Sequence, residues 1–204
     1  MKRFALILLC SVASISLTAQ DKYIEGKHYT IVSDSASEEK TVTEFFSMFC
    51  GHCFQFEPMI DSLKASLLSG TKFQKSHVDY LPQNNEEVGF GIVKSFIMMK
   101  ELGRQEELVE KFFLAIHIAQ EQIETENDLK KLFKLNGVEE EKFDELYDDE
   151  DIIDRAYEMA ELWRTREILS VPTVVVNEKY RINMGTLGSL DELVEITNWL
   201  LTKH

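Results

Sequence analysis

The sequence predicts an α/β fold in which a helical segment interrupts a sheet-forming domain. Three observations lead there. β-Branched and aromatic runs lie toward both ends of the chain, at His28–Val32, Thr41–Phe46 and Phe73–Tyr80, and again at Thr173–Val176 and Tyr180–Ile182. Between about Leu81 and Asp149 strand signals vanish and apolar residues recur at helical spacing. The length, 204 residues, fits one domain or one domain carrying an insertion. The predicted order is β, β-α-β, a run of helices, then β-β-α. The sheet-forming unit takes residues 20–80 and 150–204, and the insertion takes 81–149.

Each element has its own signal. His28 to Val32 is a short first strand and Thr41-Val42-Thr43-Glu44-Phe45-Phe46 a second. A helix begins at Cys50, with Phe56, Ile60, Leu63 and Leu67 on one stripe and Ser69-Gly70 as its stop. Pro58 falls inside it, removes one hydrogen bond and is expected to kink it. Phe73 to Tyr80 is the third strand. In the insertion, Phe90–Leu102 is one helix, and Leu108, Phe112, Ala115 or Ile116, and Ala119 mark the next. Asp128–Leu135 is stopped by Asn136-Gly137, and Glu139–Tyr147 is short and acidic. A long helix runs from Asp151 to Ile168, its stripe including Ile152, Ala156, Ala160 and Trp163. Two strands then flank a hairpin turn at Asn177-Glu178-Lys179. Ser189-Leu190-Asp191-Glu192 reads as a capping box opening the last helix.

Composition narrows the function. Apolar residues make up 44% and charged residues 28%, a globular balance. The formal charge of −14, from 22 basic and 36 acidic residues, gives no bulk attraction to phosphate backbones and argues against nucleic acid as a partner. A chain this long buries a core without disulfide staples, so its cysteines need another explanation.

The first residues read as an address. Lys2 and Arg3 precede a mostly apolar run from Phe4 to Ile15, and Leu17-Thr18-Ala19 supplies a small residue before a cut, the layout of a secretory signal peptide over residues 1–19. The run falls short of the about 20 apolar residues that span a membrane. Cleavage is expected near Ala19–Gln20, removing Cys10 and leaving 20 basic against 36 acidic residues. The exported chain then keeps two cysteines, Cys50 and Cys53, in an oxidising compartment.

Cys50-Gly51-His52-Cys53 is the chemical centre. Two cysteines three apart can close a small disulfide when the first sits at a helix N-terminus. Unpaired backbone N–H groups and the helix dipole there favour negative charge, so the Cys50 thiol is expected to ionise easily. Cys53, inside the first turn, is more shielded. Cys50 is therefore the attacking or attacked sulfur and Cys53 the resolving one. His52 adds a donor beside the thiolate, which stabilises the reduced form and makes the disulfide a stronger oxidant. A zinc half-site and a permanent structural disulfide remain open alternatives. Zinc wants about four ligands, and His28, His52, His77, His117 and His204 offer no pair at ligand spacing, so no metal is expected.

At this point the sequence resembles a known family. Glu44-Phe45-Phe46-Ser47-Met48-Phe49-Cys50-Gly51-His52-Cys53-Phe54-Gln55-Phe56-Glu57 is similar to the active-site segment of the DsbA family of periplasmic thiol:disulfide oxidoreductases. Lys75-Ser76-His77-Val78-Asp79 and the block from Val171-Pro172-Thr173 to Tyr180 match in place, the latter around the family's cis-proline. The resemblance implies a thioredoxin fold with an inserted helical domain. It implies a protein disulfide oxidoreductase, a dithiol oxidase whose only redox group is the Cys50–Cys53 disulfide, with no added cofactor. It also implies mixed disulfides between Cys50 and unfolded or folding exported polypeptides, reoxidation by a DsbB-type quinone-linked membrane oxidase, a periplasmic location and a monomer. The family's usual dipeptide is Pro-His. Gly51-His52 is the pair of protein disulfide isomerases, so a less oxidising protein is expected.

The supporting residues carry two readings each. Val171-Pro172 opens a strand, where proline is acceptable as punctuation. The resemblance makes Pro172 cis beside Cys50, with the Val171 backbone free to pair with a substrate strand. Glu44 is either a charge on an edge strand facing water or a buried carboxylate near Cys53 that exchanges a proton with it. The resemblance supplies Lys75 as its partner. His77 is a packed histidine or a site residue, and Glu57 a modulator or a solvated charge. Met48, Phe49, Phe54, Met98 and Met99 are core residues or the lining of an apolar groove. The competing functions are an isomerase or reductase, and a non-catalytic periplasmic metal or polypeptide chaperone using Cys50, His52 and Cys53.

Overall fold

The computed structural model of the protein describes residues 22–203. The expected leader, with Cys10 and the expected cleavage near Ala19–Gln20, lies outside the described residues, as does His204. The elements run β1 (Tyr29–Ile31), β2 (Thr41–Phe46), α1 (Gly51–Ala65), β3 (Lys72–His77), α2 (Glu86–Glu101), α3 (Gln105–His117), α4 (Glu126–Leu135), α5 (Glu140–Tyr147), α6 (Glu150–Thr165), β4 (Thr173–Val176), β5 (Tyr180–Ile182) and α7 (Leu190–Leu200). A 3₁₀ turn at Met184–Thr186 precedes α7. Among the described residues no helix is long and apolar enough to cross a membrane.

Among the described residues the sheet is five-stranded, in the order β1-β5-β4-β2-β3. β2 and β3 are parallel, joined by α1 as a crossover, and the other neighbours are antiparallel. β2 lies inside the sheet between β4 and β3 and is buried along its whole length, which explains its lack of polar alternation. Its side chains still alternate between faces. Val42 packs in a core with Ile60 and Leu63 of α1 and Leu193, Ile196 and Leu200 of α7. Phe45 packs on the opposite face with Val78, Ile168 and Val175. Phe46 joins the largest core, made with Ile92, Phe96, Phe112 and Phe133 of the helical segment and including Met48, Cys50 and Cys53. The Cys50-Gly51-His52-Cys53 motif thus sits on the seam between sheet and helices. α6 bridges that seam, packing on both α2 and β3.

Several boundaries differ from the sequence expectation, each for a local reason. α1 stops at Ala65, four residues before Ser69. The Ser62 and Ser66 hydroxyls bond back to the carbonyls of Pro58 and Ser62 (3.0 and 2.9 Å), and Asn198 of α7 captures the Leu68 N–H at 3.0 Å. α6 stops at Thr165, short of Ile168. Glu167 takes φ 51°, and the Ile168 N–H returns to the Trp163 carbonyl at 2.9 Å, a helix end that normally announces itself with glycine. β3 ends at His77 rather than Tyr80. Ser189 caps α7 by accepting the Glu192 N–H at 3.2 Å, but the Glu192 carboxylate reaches the Gly188 N–H instead of closing the box. The reciprocal box is at Thr125 and Asp128, opening α4. The hairpin turn is present, with Asn177 and Glu178 at φ 50° and 54° between β4 and β5.

Candidate active site

Cys50 caps α1 in an extended conformation (φ −92°, ψ 110°). Its Sγ accepts the Cys53 N–H at 3.1 Å, satisfying one orphan donor of the first turn. The two sulfurs are not bonded to each other in this structure. A hydrogen bond from the Cys53 thiol, the Cys53 and His52 N–H groups and the charge of His52 together pull the Cys50 thiol down to about 6, against the opposing effect of burial. Cys53 is fully buried, and burial together with the neighbouring Cys50 pushes its thiol far up. The paired sulfurs are thus pushed apart, one easily ionised and the other kept protonated. Gly51 and His52 are exposed at the helix start.

The Val171–Pro172 peptide bond is cis, and the Val171 carbonyl lies 3.6 Å from Cys50 Sγ. The chain has a second cis bond at Leu81–Pro82, which the sequence did not announce. Leu169, just before this segment, is 86% exposed.

Glu44 is fully buried. β2 is an interior strand, so the edge-strand alternative does not apply. The period of two puts Glu44 on the face of Val42 and Phe46, under α1, and the parallel register sets it beside Lys75. Lys75 Nζ lies 3.1 Å from Glu44 Oε2, donates to Glu57 Oε1 at 2.5 Å and sits 4.7 Å above the Phe46 ring. The Lys75–Glu44 contact has ion-pair distance without hydrogen-bond alignment, and neither Glu44 oxygen accepts a hydrogen bond from the described residues. Burial therefore dominates and raises the Glu44 carboxyl to about 7, with Lys75 opposing and Glu57 adding to the rise. Burial pulls Lys75 the other way, but Glu44 and Glu57 outweigh it and hold its ammonium above the ordinary range. Glu57 and Lys75 form part of the wall of a cavity of about 690 Å³ between α1, β3 and α3.

His77 is a packed histidine with a fixed task. Its Nε2 accepts the Met48 N–H at 2.9 Å and its Nδ1 donates to the Val78 carbonyl at 2.8 Å, while burial lowers its pKa to about 3 and keeps the ring neutral. Met48, Met98 and Met99 are core residues, and Phe49 and Phe54 are half-buried against the same core. In the sequence His117 stood only among the histidines weighed as metal ligands, and Tyr80 only as a strand end. The His117 ring lies parallel to Phe54 at 5.4 Å and reaches the Met48 carbonyl at 2.9 Å. The Tyr80 hydroxyl is buried without a partner among the described residues and is pushed up to about 12 by burial, then by the two cysteines. Both contacts span long stretches of chain that no local pattern marks. No group of three or more His, Cys, Asp or Glu side chains among the described residues is arranged to hold a metal ion.

The model of the DSBA-like thioredoxin domain family matches residues 41–195. The chain is similar to the thiol:disulfide interchange protein DsbA of Pectobacterium carotovorum subsp. carotovorum, at 27% identity over 212 residues covering 100% of both chains. It is similar to the DsbA of Salmonella typhimurium at 29% identity, covering 96% of this chain and 94% of that one. The crystal structure of Pseudomonas aeruginosa DsbA matches with a TM-score of 0.78 at 25% identity, over 90% of this chain and 95% of that one.

Proposed function

The chain belongs to the DSBA-like thioredoxin domain family, and from this we propose that it is a thiol:disulfide oxidoreductase that donates the Cys50–Cys53 disulfide to exported polypeptides. A substrate thiolate attacks Cys50 Sγ, the Cys50–Cys53 bond breaks, and its electron pair goes to Cys53. Glu44 gives Cys53 the proton that its buried sulfur requires. A second substrate thiolate then attacks the substrate sulfur of the mixed disulfide, and Cys50 leaves as a thiolate. The substrate loses two electrons and the protein ends as a dithiol. Lys75 and Glu57 set the charge around Glu44, and the Val171 backbone beside Pro172 pairs with the substrate strand without reading side chains.

The observation that carries the proposal is the contrast between the two sulfurs: Cys50 is a good leaving group at about 6, and Cys53 is held protonated by burial. Reoxidation by a quinone-linked membrane partner, export to the periplasm and a monomeric state complete the proposal. The Gly51-His52 dipeptide makes the protein less oxidising than a Pro-His relative. Equilibration with glutathione redox buffers tests this. A potential well above that of thioredoxin, at about −270 mV, is expected, and a thioredoxin-like value would favour a reductase.

A further inference from the structure

Met48 lies midway along the short segment that leads from β2 to Cys50, and two histidines hold its backbone from opposite sides. His77 of β3 accepts its N–H at 2.9 Å. His117, the last residue of α3, reaches its carbonyl through Nε2, also at 2.9 Å. A carbonyl only accepts, so His117 Nε2 carries the proton. One ring belongs to the sheet and the other to the helical segment. We propose that His117 is a positioning residue for thiol exchange, tying the helical segment to the Cys50 loop through the Met48 carbonyl.

The rest of the loop explains why that bond matters. After Phe46 the chain leaves the β-ladder. Between there and α1 it is held by short-range contacts: the Cys50 N–H to the Ser47 carbonyl at 2.9 Å and the Phe49 N–H to Ser47 Oγ at 3.1 Å. These contacts fold the loop on itself. The bonds from His77 and His117 instead fix it to the two bodies on either side. The Cys50 thiolate depends on the alignment of Sγ with the Cys53 N–H at 3.1 Å, so a shift at Met48 passes through Phe49 into that geometry. His117 is held by its own packing, parallel to Phe54 and tilted against Phe113 at 5.9 Å. Phe54 directly follows Cys53. A Cβ built on Gly51 would lie 3.8 Å from His117 Nδ1 and 3.9 Å from Cε1, so the ring also borders the residue between the cysteines. The geometry places His117 beside the reacting loop without a bond to either sulfur.

Two substitutions separate the donor from the ring. His117→Phe keeps an aromatic ring against Phe54 and removes the donor, whereas His117→Gln keeps an amide donor of similar reach. His117→Phe is expected to raise the Cys50 thiolate pKa by about half a unit or more and to slow exchange with a small thiol by about threefold or more. His117→Gln is expected to stay within about twofold of the unsubstituted protein. Unchanged titration and rate in His117→Phe would overturn the proposal, as would equal loss in both variants, which would make the ring rather than the donor responsible. Nitrogen NMR of the unsubstituted protein stands even where a variant fails to fold. At alkaline pH His117 is expected as the Nε2–H tautomer, and the Nδ1–H tautomer would refute the bond.

Discussion

Cys50 and Glu44 each move away from their ordinary ionisation, in ways that oppose each other in the pH dependence of stability. The Cys50 thiol, lowered to about 6 by its hydrogen bonds, is ionised in the folded dithiol protein and protonated in the unfolded one between that value and its ordinary value of 9.0. The stability it contributes is therefore full above the ordinary value and lost as pH falls through about 6. The disulfide form has no such contribution, so the dithiol form is expected to gain on it as pH rises across this window. Above the window Cys53 reverses the trend, because burial keeps it protonated in the folded chain while the unfolded thiol ionises. Urea unfolding of both redox forms across this range checks the slope, and parallel curves would contradict it. Glu44 runs the other way. Its carboxyl is raised to about 7, so its contribution is full below the ordinary carboxylate value and is lost as pH rises through about 7. Glu44→Gln is accordingly expected to be more stable than the unsubstituted protein at pH 8. Lys75 keeps Glu57 at 2.5 Å as its remaining partner. The same variant is expected to open its disulfide with glutathione more slowly, by about tenfold or more, and to lose the inflection near neutral pH. A variant that is both more stable and equally fast would remove Glu44 from the proposed proton transfer.

At the scale of elements, the docking of α2 against the segment after β3 is unusually intolerant of added volume. A Cβ on Gly89 would stand 2.2 Å from the Asp79 carbonyl oxygen, a backbone atom, whereas one on Gly91 would meet the Tyr147 hydroxyl at 2.6 Å and Leu129 at 3.0 Å, both side chains. Side chains can turn aside and backbone cannot without moving α2 or the chain after β3. Asp79 is further pinned by Trp163 Nε1 at 2.6 Å and Arg164 at 3.0 Å from α6. Gly89→Ala is therefore expected to cost about 3 kcal/mol or more, and Gly91→Ala about 1–2 kcal/mol. Urea midpoints at fixed pH measure both, and the reverse order would contradict the docking argument. The elements themselves were largely legible in the sequence, because β-branched runs and apolar stripes act locally. Their ends were less so. α6 ends at Thr165 and is closed off by Glu167 at a positive φ without a glycine, and α1 stops where serine hydroxyls and Asn198 take over its backbone groups. Such ends depend on side chains reaching back or across the fold, which composition does not display.

For the whole molecule, topology decides which of the sequence's alternatives applies. Glu44 could have been an edge charge until β2 took an interior place in the sheet, between β4 and β3. The Cys50-Gly51-His52-Cys53 motif alone left a zinc half-site and a structural disulfide open until the resemblance was added, and His117 reaches Met48 and Phe54 from a distant segment of chain. The long-range feature that was legible in advance is charge. The formal value of −14 gives the molecule a negative field that acts on a substrate before any contact forms. The reacting substrate sulfur is itself anionic, so the field opposes its approach unless the neighbouring residues of the substrate are basic. Exchange with a lysine-flanked cysteine peptide is expected to outpace a glutamate-flanked one at low salt. The gap is expected to narrow as ionic strength rises from about 20 to about 200 mM, where the screening length falls below about 10 Å. Chain stability in the two salt conditions has to be matched first, because screening also relieves the protein's self-repulsion. Stopped-flow rates for the two peptides across this range provide the measurement. Peptide rates that stay in fixed ratio at all salt concentrations would mean that local contacts at Cys50 and Val171, and not the overall charge, select the substrate.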